Sequence, residues 1–278
     1  MTTWQPGPAW LFVPADRPDR FAKALERSDI AVIDLEDAVA ADRKAQARAA
    51  LAAYDWPEPE RTLVRLNPAS TAEHALDLDL LAEFAAAGRG PTRVMLAKAE
   101  APTDLDGLGA HEVVVILETP AGVVHAREII ERPHVVGAMW GAEDLIAGLG
   151  GTASRDADGR YRPVALHAQN SVLLASKAAG KLAIDTVHLD IPDHDGLARE
   201  SRDSVAIGFD AKASIHPGHI PIVRAAFAPD EAALARAHRI LAGVAEHGEG
   251  VFALDGGMVD GPIIAQARRI LARAAAAR

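Results

Sequence analysis

Eight short apolar runs alternate with helical stretches along this chain, and few folds accommodate that pattern. The runs are AWLFVPA (9–15), IAVIDLED (30–37), TLVRLN (62–67), RVMLAKA (93–99), EVVVILET (112–119), VVGAMWGAED (135–144), LAIDTVHL (182–189) and AKASIHP (211–217). Several are continuous rather than alternating, as in parallel strands that are covered on both faces and have no solvent side. Helical patterns at 18–28, 42–54, 74–87, 122–132, 164–179, 196–207 and 219–227 separate them. Eight strands with crossover helices predict a (β/α)8 TIM-type barrel, with a doubly wound open sheet as the alternative. The chain has 278 residues, 49% of them hydrophobic, which is enough for one core of that size.

Beyond about residue 230 the pattern changes. Two Ala-rich helical segments, 231–246 and 262–277, are joined by EHGEGVFALDGGMVDGP, which reads as a hinged, Gly-rich loop. The organisation predicted is a barrel over 1–229 and a C-terminal helical extension over 230–278 that serves as a lid or an oligomer contact.

Charge and composition remove several function classes. The formal net charge is -10 and no basic stripe is visible, which argues against nucleic acid as the main partner. A few local Arg residues remain compatible with an anionic small substrate. There is no cysteine, so disulfides, Cys-ligated zinc, iron–sulfur clusters and thiolate catalysis are all excluded. The opening MTTWQPGPAW lacks a signal-peptide pattern and no run is long enough to span a membrane, so a cytoplasmic location is the default expectation.

The chemistry concentrates where the apolar runs end, which in a parallel barrel is the active-site face. The second run ends in Asp34, Glu36 and Asp37, the third carries Arg65 and Asn67, and the fourth carries Lys98. The fifth ends in Glu118 and the sixth in Glu143 and Asp144. A carboxylate that closes a run such as VVVILE is costly to bury unless it meets a cation. Any one of these acids could instead cap the next helix or pair with an Arg. Glu118 and Asp144 together, on adjacent strands, point to a hard cation with oxygen ligands. Arg65 can grip a carboxylate with its planar fork, Lys98 adds a point charge, and both can also neutralise the acids.

Other motifs carry less. Gly148, Gly150 and Ala153 match a dinucleotide-type spacing but follow a helical stretch, and the expected downstream acid is missing. Asp156 and Asp158 fit a surface turn better than a calcium loop. His188, Asp190, Asp193, His194 and Asp195 are metal-like residue types at a strand-to-helix junction, where Asp is also a common cap. His216 reads as a structural hydrogen-bonding residue.

The segments LFVPADRPDRF (11–21), VIDLEDAV (32–39), VRLN (64–67), ILETPAG (116–122), MWGAEDL (139–145) and SIHPGHIP (214–221) resemble, in order, the citrate lyase β-subunit family of acyl-CoA lyases, within the phosphoenolpyruvate/pyruvate superfamily. The resemblance implies a lyase on a modified TIM barrel that uses Mg²⁺, with Mn²⁺ as a substitute. It implies cleavage or condensation of a carboxylated 3-hydroxyacyl-CoA thioester (citramalyl-, malyl-, citryl- or hydroxymethylglutaryl-CoA) to a 2-keto acid and acetyl-CoA. Carried over residue by residue, it makes Glu118 and Asp144 the metal ligands and Arg65 the residue on the substrate carboxylate. Asp34, Glu36 and Asp37 fall around the metal-bound waters, with Asp37 in the expected catalytic set and Asp34, Glu36 and Glu118 in the expected substrate-binding set, which Lys98 joins on its position in the mouth alone. GGMVDGP (256–262) resembles the family's C-terminal lid, which makes Asp260 a general acid/base acting on a neighbouring subunit of a homotrimer or hexamer. Flanked by Gly256, Gly257, Gly261 and Pro262, Asp260 reads equally well as a turn and helix cap. Two other readings remain: a β subunit working on a carrier-bound citryl thioester within a citrate lyase complex, and a catalytically silent assembly subunit.

Overall fold

The computed structural model describes residues 4–276. Eight parallel strands close into a barrel in the order β1 to β8, each pairing with its sequence neighbour and β8 returning to β1. They are β1 (Ala9–Pro14), β2 (Ile30–Asp34), β3 (Thr62–Leu66), β4 (Arg93–Leu96), β5 (Glu112–Leu117), β6 (Val135–Trp140), β7 (Leu182–Asp185) and β8 (Ala211–Ser214). The closed ring, rather than an open doubly wound sheet, follows from β8 pairing to β1 at Ala9–Lys212, Trp10–Ala213 and Leu11–Ser214.

Each strand starts at the first residue of its apolar run and stops one to four residues short of the run's end. The polar residues at those ends leave the sheet to turn into loops and helix starts. Glu36, Asp37, Asn67, Lys98 and Glu118 therefore sit just past their strands, while Glu143 and Asp144 lie in the first turn of the following helix.

The connecting helices are α1 (Phe21–Arg27), α2 (Lys44–Ala52), α3 (Ala72–Ala86), α4 (Pro120–Val124), α5 (Ala126–Ile130), α6 (Ala142–Gly148), α7 (Pro163–Ala178), α8 (His194–Ile207) and α9 (Ile220–Phe227). The expected single helix over 122–132 is two, divided at His125, whose φ of -95° and ψ of 12° break the helical run. The period-two pattern sorts each strand's side chains. In β8, Ala211 and Ala213 join the barrel's inner cluster with Trp10, Ile116 and Met139, while Lys212, which lies between them, is fully buried against Asp185 and Thr186. Among the described residues no helix is long and apolar enough to cross a membrane.

The chain divides into two compact units, the first running to Val223 and the second starting at Arg224. In the second, α10 (Glu231–His247) and α11 (Gly261–Ala276) pack through a small core that includes Ala237, Ile240, Val259 and Ile264. The final residue of the helix expected over 262–277 lies outside the described range. The segment read as a hinged loop instead holds an antiparallel hairpin, β9 (Phe252–Leu254) with β10 (Gly257–Val259). Asp255 and Gly256 turn it with φ of 52° and 78°, and positive φ at both central residues is what a tight hairpin turn matching strand twist requires.

Candidate active site

The mouth at the strands' C-terminal ends holds a cavity of about 330 Å³. Its charged lining includes Asp34, Asp37, Arg65, Glu118, Glu143 and Asp144, and its apolar lining includes Phe12, Ile116, Met139, Val187 and Ile215. The fold thus brings Asp34, Asp37, Arg65, Glu118 and Asp144 together from four strand ends, with Glu36 and Lys98 joined to them by ion pairs.

Asp34 organises one side of the mouth. It is buried at the last position of β2 and accepts the backbone N–H of Glu36 at 2.8 Å and of Ala38 at 3.0 Å, which folds the DLED loop around it. Its two oxygens also receive Arg65 Nε at 2.7 Å and Nη2 at 2.5 Å, a side-on bidentate pair. Arg65 Nη1 reaches Glu36 Oε2 at 3.1 Å. A guanidinium carries five N–H donors, more than the three contacts to Asp34 and Glu36 use. Burial works against the Arg65 charge, but Asp34 and Glu36 outweigh it and hold the guanidinium firmly protonated. Its carbon lies 4.8 Å from the Phe12 ring centre, which fixes the plane of the fork.

Glu118 anchors the other side. Thr119, immediately after it, caps α4 by accepting the Gly122 N–H at 3.1 Å, and Pro120 starts that helix with a preset φ. The strand therefore ends at Leu117 and Glu118 turns into the mouth. Two close approaches hold it there. A Cβ on Gly141 would stand 2.6 Å from Glu118 Oε2, so only glycine fits opposite this carboxylate. Lys98 has φ of 49°, a costly conformation for a non-glycine residue, and this turns its N–H toward Glu118 Oε1 at 3.2 Å. The Lys98 ammonium bridges Glu36, Asp37 and Asp144, the last two at 2.9 and 3.2 Å.

The electrostatics are lopsided. Burial drives the Glu118 carboxyl up to about 7, with Arg65 and Lys98 pulling it down and Asp144 and Glu36 pushing it further up. Burial also raises Glu36. Five carboxylates (Asp34, Glu36, Asp37, Glu118 and Asp144) face two cations, Arg65 and Lys98. A buried carboxylate with a second one nearby calls for positive charge, and all-oxygen donors of this kind fit a hard divalent cation that keeps several waters. Among the described residues no three His, Cys, Asp or Glu side chains gather as a ligand set.

Asp260 lies in the second unit, between β10 and α11. Its carbonyl accepts the Ile264 N–H at 3.0 Å and its Oδ1 faces the Ile263 N–H at 3.4 Å, the positions of a helix N-cap. Of the histidines and acids singled out near 188–195, His188 is buried with Nδ1 3.0 Å from Glu200 Oε2, and Asp193 caps α8 through the Gly196 N–H at 2.8 Å. These residues read as structural. His216 caps the short turn that follows it, accepting the Gly218 N–H at 3.1 Å.

Two features escape sequence reading. Arg155 and Tyr161, from the loop after α6, line the same cavity. A second cavity of about 650 Å³ shares Phe12 and Ile215 with the first and is rimmed by Arg17, Arg20, Lys23 and Arg27. The available signal was the spacing of cations on one short helical stretch, which total charge conceals.

The profile of the HpcH/HpaI aldolase/citrate lyase family matches residues 9–217. A citrate lyase subunit beta-like protein of Mycobacterium tuberculosis (strain CDC 1551 / Oshkosh) is 50% identical over 269 residues, covering 96% of each chain. Rat mitochondrial citramalyl-CoA lyase is 30% identical over 297 residues, covering 96% of this chain and 85% of that one. Protein CitE of M. tuberculosis, solved in complex with magnesium, acetoacetate and coenzyme A, superposes with a TM-score of 0.90 at 49% identity, over 97% of this chain and 98% of that one. With its barrel, its acid-rich mouth and these relatives, the chain belongs to the HpcH/HpaI aldolase/citrate lyase family and is a lyase.

Proposed function

We propose that this protein is a Mg²⁺-dependent carbon–carbon lyase. It cleaves, or in reverse condenses, a carboxylated 3-hydroxyacyl-CoA thioester of the citramalyl, malyl, citryl or hydroxymethylglutaryl type to a 2-keto acid and acetyl-CoA. The observation that carries this reading is the convergence of Glu118, Asp144 and Arg65 on one cavity. The CitE structure with magnesium, acetoacetate and coenzyme A supports it.

Glu118 and Asp144 would hold the metal, which when bound polarises the oxygen that becomes the keto group. Arg65, held by Asp34 and stacked on Phe12, binds the carboxylate of the keto-acid half with its remaining N–H pair. Glu36 and Asp37 order Lys98 at the mouth. The basic rim of Arg17, Arg20, Lys23 and Arg27 suits the phosphates of a CoA carrier. Asp260 moves the proton, and the second unit brings it to the site of a neighbouring subunit in a homotrimer or hexamer. The protein acts in the cytoplasm. The rim favours free CoA thioesters over a carrier-bound substrate in a citrate lyase complex.

A screen of CoA thioesters with Mg²⁺, following keto-acid and acetyl-CoA release, tests the reading. Metal-dependent cleavage of at least one 3-hydroxyacyl thioester is expected. Full activity in EDTA, or no cleavage by the purified protein alone, overturns it. Mixing Asp260→Asn with Glu118→Ala subunits tests the shared site, and restored turnover is expected.

A further inference from the structure

The loop after α6 brings a side chain to the cavity that the scheme above leaves without work. Residues 154–162 form a closed hairpin with an antiparallel bridge between Arg155 and Tyr161 and the Arg162 N–H on the Ser154 carbonyl at 2.8 Å. It is pinned at two points. Ser154 Oγ donates to Glu143 Oε1 at 2.6 Å, and Arg155 Nη1 pairs with Glu200 Oε1 at 2.6 Å. The Tyr161 ring is held edge-on to Trp140 with ring centres 5.1 Å apart, and the Arg155 guanidinium carbon lies 3.7 Å from its centre. The ring is thus held between Trp140 and Arg155, yet its hydroxyl makes no hydrogen bond to another group among the described residues. It belongs to a residue that lines the cavity with Arg65, Glu118 and Asp144.

We propose that Tyr161 is a catalytic residue for the thioester half of the substrate, its hydroxyl donating a hydrogen bond to the thioester carbonyl oxygen. The inference rests on the lyase reading. In that reaction the 3-hydroxyl loses its proton, the bond between C2 and C3 breaks, and its electron pair moves into the thioester carbonyl to give an enolate. The enolate carbon then takes a proton to give the acetyl thioester. The carboxylate has Arg65 and the 3-oxygen has the metal site, which leaves the thioester oxygen, where negative charge grows, without a donor. A preorganised neutral donor stabilises that charge in a water-poor site. The phenol suits the role because burial, followed by the charges of Glu200, Asp185 and Glu143, keeps it protonated far above neutral pH, with Arg155 opposing only in part. Thr186 is the other neutral hydroxyl on the cavity wall. A phenol is the stronger donor to a developing enolate, and the Tyr161 ring is oriented by Trp140 and Arg155.

The test compares Tyr161→Phe and Thr186→Val on whichever thioester the wild-type protein cleaves. Tyr161→Phe is expected to lower kcat by roughly 10²-fold, the effect of losing one such donor, with KM and thermal unfolding little changed. Thr186→Val is expected to stay within about threefold of wild type. With bound acetyl-CoA labelled at the carbonyl carbon, the infrared carbonyl stretch should be lower than in water for wild type and return toward the aqueous value in Tyr161→Phe. Wild-type kcat in Tyr161→Phe, or a large loss confined to Thr186→Val, overturns the assignment while leaving the lyase reading intact. If Tyr161→Phe does not fold, the wild-type spectrum decides: a lowered stretch supports a donor at this oxygen, and an aqueous frequency overturns it. A wild-type protein that cleaves no thioester overturns the lyase reading instead.

Discussion

Two clusters of charge stand at the strand ends of one barrel, and they are balanced differently. At β2–β6, five carboxylates face Arg65 and Lys98, and Glu118 is pushed up to about 7. At β7–β8, two carboxylates, Asp185 and Glu200, face two cations, Lys212 and Arg155. There the shift runs the other way. Burial tends to raise Glu200, but His188, Lys212 and Arg155 overcome it and bring the carboxyl down to about 2. Lys212 is fully buried and bonds to Asp185 Oδ2 at 2.7 Å and the Thr186 carbonyl at 2.8 Å. Asp185 also receives Trp140 Nε1 at 2.7 Å and Ser204 Oγ at 2.5 Å. The same fold has built one network in which carboxylates and cations balance and one in which they do not. The first supports structure. The second leaves more carboxylates than cations.

Breaking the balanced cluster should cost stability rather than chemistry. Lys212→Met strands the Asp185 carboxylate in the interior, and a loss of about 4 kcal/mol is expected from urea unfolding, the usual cost of removing one partner of a buried pair. The protein that remains folded should keep its kcat. Glu118→Gln, which removes charge from the unbalanced cluster, should unfold within about 1 kcal/mol of wild type while losing turnover. Equal stability losses in the two variants would erase the distinction.

Acid sharpens the contrast. The folded Glu200 carboxyl lies below its ordinary value of 4.5, at about 2. Its contribution is therefore complete above pH 4.5 and is lost as pH falls through that window toward about 2. The shift corresponds to about 3 kcal/mol. The urea midpoint of wild type should drop more steeply over this range than that of Glu200→Gln, and parallel curves would show that Glu200 is not the group that titrates.

Arg65 sits in the unbalanced cluster and is tightly paired there. Arg65→Lys keeps a cation beside Asp34 but loses the fork that serves Asp34 and a substrate carboxylate together. A drop of roughly 10²-fold in kcat/KM is expected from the lost orientation, and unchanged kinetics would confine Arg65 to neutralising the acids.

The sequence made the barrel and most of the unbalanced cluster legible for the same reason. Apolar runs mark where buried strands begin, and a carboxylate at the end of such a run is conspicuous because it is expensive there. The run ends misled. Lys98 continues its run on paper but leaves the strand with φ of 49°, and nothing local in RVMLAKA announces that. Asp255 and Gly256 are a hairpin signal that the surrounding Gly-rich stretch masks. The balanced cluster was invisible because its members come from β7, α8, β8 and the loop after α6, and only folding places Arg155, His188, Glu200 and Lys212 side by side. Tyr161 was hidden in the same way, since its meaning depends on Trp140 and Arg155 around it.

The central claim is that the uncompensated charge of the mouth is a metal site held by Glu118 and Asp144. Titration of Mn²⁺ into metal-free protein, followed by electron paramagnetic resonance with Mg²⁺ as competitor, reads it directly and needs no substrate. Wild type and Glu200→Gln should bind one competable ion per chain with matching affinity, whereas Glu118→Gln and Asp144→Asn should each weaken binding by at least about tenfold. Undiminished binding in both Glu118→Gln and Asp144→Asn would contradict the account.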